Sequence, residues 1–230
     1  VKLSDHANMV GESFGASGNT GMRAELMGTA AEAQRLGYDL QVGIDNAKTL
    51  TSQFGVGLNA MKDLSDVSLR SARSIGVSTE TAAVLVGMFT QLSGHSAKSA
   101  ELFMKQNALL AYQNNVAPNA VFEQIAESSE NVALWTKEGA QNIFDGAMAA
   151  TKMGINYDSV ANAARGLLNV QESVQAEIEA SVLTGKQMNL QRARELALAG
   201  KHSDMLEEIK NQVADESEWN AMNVFQREAM

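Results

Sequence analysis

Apolar residues recur along this chain at three- or four-residue steps, separated by short polar breaks, which is the spacing of amphipathic helices. Met22, Leu26, Ala30, Ala33 and Leu36 define one face of a helix opening at Thr20. A second helix is expected from just after Gly37 to about Phe54. After the break GVGL at 55–58, a third over 59–75 carries Met61, Leu64, Val67 and Leu69. TAAVLVGMFTQL reads as a helix that is apolar nearly all round and therefore buried. SGHS at 93–96 is a turn, and Ala100, Phe103, Met104, Ala108 and Ala111 mark the next long helix. Pro118 opens a helix through Val121, Phe122 and Ile125, SSEN at 128–131 is a break or cap, and GAQNIFDGAMAATKM is helical again. SVANAARGLL and VQAEIEASVL are helical and end at Gly185. The steps then shorten. Gly185 and Asn189 bracket a turn, and LQRARELAL is stopped by Gly200. DMLEEIKNQVA starts at Ser203 or Asp204, and Asn223 caps a last helix.

One break recurs. RLGYD at 35–39, SIGVS at 74–78, NNVAP at 114–118 and KMGIN at 152–156 place Gly37, Gly76, Asn115 and Gly154 at intervals of 39 residues. Gly and Asn tolerate the left-handed conformation just past a helix end, and the apolar residue that follows can fold back on the last turn. Asp39, Ser78 and Asn156 can each cap a new helix, and Pro118 does the equivalent in the third copy. The expected fold is all-α, with tandem helix-turn-helix units of about 39 residues forming a helical array or bundle, and a short-helix C-terminal part. The expected boundaries are a Gly-rich leader at 1–21, a helical repeat region at 22–184 and the short-helix part at 185–230. Gly37, Gly76, Asn115, Gly154, Gly185 and Gly200 are the expected structural turns.

Composition narrows the class. The chain has 230 residues, one Pro and no Cys, which fits a helix-dominated fold without disulfides or thiolate metal sites. A formal net charge of -9 argues against a general nucleic-acid binder, which needs a basic face. Arg192, Arg194, Lys201 and His202 form a local basic run, but Glu195 interrupts it and a solvated helix face is the expectation. The longest apolar run, AAVLVGMF at 82–89, is too short to span a membrane, and a membrane partner is left open. GESFGASGNTG lacks both the GxxxxGK[ST] and the GxGxxG spacing, so a flexible leader is expected rather than a phosphate cradle. Val1 at the start and QREAM at the end read as the edges of a piece of a longer chain.

The search for reactive chemistry returns no site. His6, His95 and His202 lie far apart without ligand spacing, with His95 expected to be solvated in its turn. The pairs Glu207/Glu208 and Glu177/Glu179 do not share helix faces. There is no GxSxG elbow, so neither an enzyme nor a cofactor is expected. Gly43, Gly87, Gly146 and Gly166 sit inside helices, where close helix crossing is the expected reason and built-in pliancy the alternative. The twelve methionines are read as core filling, with an adaptable partner groove as the sharper alternative.

Three stretches carry a family resemblance: IAESSENVALW at 125–135, KMGINYDSVANAARGLLNVQESVQAEIEASVLTGKQMNLQRARELALAGKHSDMLEEI at 152–209, and WNAMNVFQREAM at 219–230. ASVLTGKQMNLQRARELALAG is the most specific piece, and RSIGVSTETAAVLVGMF at 73–89 fits more loosely. This text resembles the tail tape measure proteins of tailed bacteriophages over about residues 71–230. The resemblance implies a structural virion protein made in the host cytoplasm. Such a protein occupies the tail lumen in coaxial copies, contacts tail tube and baseplate or tail-tip proteins, and leaves ahead of the DNA. It implies no catalytic residues. Tape measures rely on long continuous helices, whereas this text is broken at short intervals, which suits a compact section near a tail end better than the measuring rod. The alternative reading is a helical-repeat scaffold that binds a partner peptide in a groove. A tail-borne lytic enzyme is the weaker third.

Overall fold

The computed structural model describes residues 20–135 and 139–212. Among them are twelve α-helices, one short π-helical segment and no strand. The chain divides into two compact units, Val1–Ser129 and Glu130–Met230, so the division falls inside the span expected as one repeat region. Of the expected leader at 1–21, residues 20 and 21 belong to a helix, and residues 1–19 and the final helix at Asn223 lie outside the described residues.

The first unit contains α1 (Thr20–Arg35), α2 (Leu40–Phe54), α3 (Leu58–Ile75), α4 (Thr79–Gly87), the π segment Met88–Leu92, α5 (Ala97–Gln113) and α6 (Pro118–Glu127). Thr20, expected as a cap, is itself helical. The helices run as three hairpins, α1–α2, α3–α4 and α5–α6. Helix α1 packs on α2 and α3, α4 on α2 and α3, and α6 on α4 and α5. Leu26, Ile44, Leu50, Met61, Leu69, Leu85, Met104 and Phe122 are fully buried between them.

The hairpin turn has one recurring geometry. Gly37, Gly76, Asn115 and Gly154 have φ of 82°, 84°, 58° and 71°. In each case the next residue donates its N–H to a carbonyl five residues back, and all four acceptors are alanines: Ala33, Ala72, Ala111 and Ala150, at 2.9, 3.2, 2.9 and 3.1 Å. These four alanines are buried. The next helix starts three residues after the turn, at Leu40, Thr79, Pro118 and Tyr157. Asp39, Ser78 and Asn156 accept from backbone N–H groups as caps, while Ala117 has no side-chain bond and Pro118 takes the first position. The fold-back of the apolar residue holds for Val77 and Val116 but not for Ile155, which stays exposed.

The all-apolar run is not one regular helix. Helix α4 gives way to the π segment after Gly87. Thr90 Oγ1 donates to the Val86 carbonyl at 2.7 Å, taking the acceptor that the α pattern reserves for a backbone N–H. SSEN is a break, as expected: Ser128 caps the end of α6, and a short helix, α7 (Ser129–Trp135), follows at once with Val132 and Trp135 buried.

The second unit contains most of α7, then α8 (Ala140–Met153), α9 (Tyr157–Leu168), α10 (Val170–Thr184), α11 (Gln191–Leu198) and α12 (His202–Gln212). Helices α8, α9, α11 and α12 pack together around Ile143, Phe144, Tyr157, Ala161, Ala193 and Met205, and α10 packs against α9. Only Asn169 separates α9 from α10. Close crossing explains three of the four mid-helix glycines. A Cβ on Gly43 would sit 2.5 Å from the Thr29 carbonyl, one on Gly87 would enter the Phe54 ring, and one on Gly146 would lie 2.8 Å from His202 Cβ. Gly166 has open space around it, so crossing does not account for it.

Candidate functional site

Gly185 and Gly200 also hold positive φ, at 71° and 65°. The six expected turn residues are thus all left-handed, but they are dispersed through the chain and bring no reactive groups together. Among the described residues no group of three or more His, Asp or Glu is placed to hold a metal. A cleft of about 460 Å³ opens between α2 and α4, walled by Asp45, Lys48, Thr49, Ser52 and Glu80, with Asn46 also in its lining. Asn46 Nδ2 donates to Ser68 Oγ at 2.8 Å and to the Thr79 carbonyl at 3.0 Å.

His202 contradicts its expected place on a solvated basic face. It is fully buried at the start of α12. Its Nδ1 shares a 2.7 Å hydrogen bond with Tyr157 Oη, and the Trp135 ring meets it edge-on with centroids 4.6 Å apart. Burial lowers the imidazole pKa to about 4 and raises the Tyr157 phenol above its ordinary value. The group is therefore a neutral core histidine. His95 is also half-covered, 5.6 Å from the Phe103 ring. Arg194 is no free cation either: its Nε donates to Ser173 Oγ at 2.9 Å and its guanidinium pairs with Glu177.

That ion pair belongs to the most unusual surface of the second unit. Helix α10 is amphipathic the wrong way round. Ser173, Glu177 and Ser181, at four-residue steps, face the rest of the unit. Ser173 and Glu177 are held by Arg194, Leu190 N–H donates to Glu177 Oε2 at 3.2 Å, and Met188 N–H donates to Ser181 Oγ at 3.0 Å. Val170, Val174, Ile178 and Val182, also at four-residue steps, point outward with 58, 37, 60 and 76% of their surface exposed. A groove of about 410 Å³ runs beside Ile178 and Val182 over Gly185 and Met188. Covering a side chain of this size completely contributes about 1.5–3 kcal/mol, so an uncovered row of four is a strong signal of a binding face.

The first unit carries a second such face. On α5 the buried side is Ala100, Met104, Ala108 and Ala111, as the spacing predicts. Leu102, Leu109 and Tyr112 lie off that side and are 51, 59 and 64% exposed. Lys98 and Lys105 stand among them, with Lys105 Nζ 2.7 Å from Glu101 Oε1. The signal for the α5 ridge is present in the sequence as apolar residues left over once the helix has its buried face, whereas α10 offers no such apolar inner face to read it from.

The described residues thus define an all-helical protein with two exposed apolar ridges, and none of its described helices is long and apolar enough to cross a membrane. Comparison with protein-family models, curated proteins and solved structures gives no match.

Proposed function

We propose that this chain is a structural segment of a tailed-bacteriophage tape measure protein, folded compactly near a tail end and acting in tail assembly. The observation that carries the reading is the inverted helix α10. Its outward row Val170, Val174, Ile178 and Val182 lies within the 152–209 text that resembles that family. A surface row of this kind suits a protein whose work is to be gripped by neighbours. The candidate neighbours are the tail tube, baseplate or tail-tip proteins and further copies of the chain. The acidic balance of -9 supports the same role, since a lumen through which DNA passes must not hold it. The test is a phage from whose genome residues 20–212 are deleted in frame. Aberrant tails or loss of infectivity are expected, and normal tails with normal infectivity overturn the reading.

The recurring turn at Gly37, Gly76 and Asn115 favours a second reading, a helical-repeat scaffold that takes a partner peptide. Binding of one host or phage peptide by the first unit, with no effect of deletion on tails, selects the scaffold.

A further inference from the structure

We propose that Glu32 and Asp66 take up one proton between them as pH falls, and that this proton latches the seam between α1 and α3. Two carboxylates set against each other between packed helices repel, whereas a carboxyl donating to a carboxylate attracts. The seam is then a pH-sensitive contact inside the first unit.

The fold brings both acids to one place. Arg35 Nη2 pairs with Glu32 across one turn of α1 and lies 4.0 Å from Asp66 Oδ1 on α3. Asp66 Oδ2 is taken by Arg70 Nη2 at 2.6 Å. Asp66 Oδ1 is different. It is buried and accepts no hydrogen bond, since 4.0 Å is too long for one from Arg35. A carboxylate oxygen so placed carries charge with no donor to meet it, which is costly. A proton on Oδ1 removes that charge and makes the atom a donor, and the acceptor beside it is the Glu32 carboxylate. The two side chains are only 16 and 22% exposed, so water screens the pair weakly. Burial first, and then Glu32, hold the Asp66 carboxyl above the ordinary carboxylate range, while Arg35 holds Glu32 below it. One acid is ready to donate and the other to accept.

The charges around the pair come from three helices. Arg35 lies on α1, and Lys62 and Arg70 on α3 act on Glu32 and Asp66 respectively. From α5, Glu101 stands 3.6 Å from Arg70 and 2.7 Å from Lys105 Nζ, so Arg70 is shared between two carboxylates and only part of its charge serves Asp66. On α2 and α4, the other helices packed here, Asp45, Lys48 and Glu80 line the cleft between those two helices.

The test is urea unfolding of the full chain and of Asp66→Asn from pH 7 to pH 4, read by amide exchange along α1 and α3 so that the first unit is followed alone. Asparagine keeps the shape of the protonated acid and donates to Glu32 at every pH. A group whose folded pKa is raised adds stability as pH falls through it. The native chain should therefore gain on the variant as pH falls, by up to about tenfold in folding constant per pH unit, the limit for one proton. An Asp66 that is simply ionised and fixed by Arg70 gives the opposite sign, with the variant weakest against the native chain at pH 7 and the gap closing in acid. That result overturns the proposal, and so does a gap that does not change with pH. Carbon-13 titration of the carboxyl groups in the native chain reads the same proton, and decides the matter if Asp66→Asn does not fold. Asp66 should titrate above the ordinary carboxylate range with a matching step at Glu32, and titration of Asp66 within or below that range overturns the latch.

Discussion

His202 makes the second unit acid-labile by an amount its surroundings set. The imidazole is fully buried between Trp135 and Tyr157, and its folded-state pKa is about 4 against an ordinary 6.5. In the unfolded chain the ring takes up a proton as pH falls through 6.5, while the folded ring resists until about 4. The unfolded state therefore binds more protons in this window, and stability is lost as pH falls through it. A gap of about 2.5 pK units corresponds to roughly 3 kcal/mol. That is a large share of the 5–15 kcal/mol typical of a domain. Asp145, in the same unit, acts in the opposite sense. Desolvation raises its carboxyl pKa, so its protonation favours the folded form in acid. The clean measurement is therefore a difference. Urea unfolding of the native chain and of His202→Gln, repeated from pH 7 to pH 4, cancels the carboxylates common to both. The native chain should lose roughly 3 kcal/mol more than the variant over that range. Equal losses would refute the assignment of His202 as a neutral buried base.

Two further substitutions probe packing. Gly43→Ala should destabilise the first unit by about 1–3 kcal/mol despite alanine's better helix propensity, because its Cβ would meet the Thr29 backbone carbonyl. Gly166→Ala, with open space around it, should stabilise by up to about 1 kcal/mol, and thermal unfolding reads both. Arg194→Ala removes the cation holding Ser173 and Glu177, so α10 should lose roughly 1–3 kcal/mol of local stability. Amide exchange should quicken along 170–184 and not along α8, and uniform acceleration in both would count against the tether.

What the sequence discloses and what it withholds follow from one distinction. Turn chemistry is local. A Gly or Asn followed by an apolar residue and a capping side chain encodes its own conformation, and Gly37, Gly76, Asn115 and Gly154 are left-handed in the structure. Apolar spacing is also local, and the buried sides of α1 and α5 are readable from it. Whether a given face is covered is not local. His202 looks like part of a basic run because Lys201 and Arg194 are near it in sequence, yet Tyr157, 45 residues away, is its partner. VQAEIEASVL reads as helical, but nothing in its spacing says that Ser173 and Glu177 turn inward while Val174 and Ile178 turn out. That depends on Arg194, one helix further on. The π segment escapes for a different reason: Thr90 bonds back to the Val86 carbonyl, but Thr151 makes the same bond to Ala147 within a regular α-helix, so the residue type does not mark the change.

Under the proposed tape measure reading, the chain reversals also bear on how such a segment could act on tail length. A continuous helix gains about 1.5 Å per residue, so 39 added residues would extend a rod by about 58 Å. The longest described helix here is α3, with 18 residues, and it ends in the Gly76 turn that sends the chain back along itself. An added unit built like residues 77–115 would form another loop-linked pair of helices and widen or lengthen a stack by about one helix diameter, near 10 Å. Duplicating residues 77–115 in the phage genome separates the two cases. If the fold described here is the one present in the assembled tail, measured tail length should change by far less than 58 Å while assembly proceeds. Tails longer by about 58 Å would mean that the hairpins are drawn out into continuous helix inside the virion. The left-handed turns at Gly37, Gly76 and Asn115 would then belong only to the chain before or after assembly.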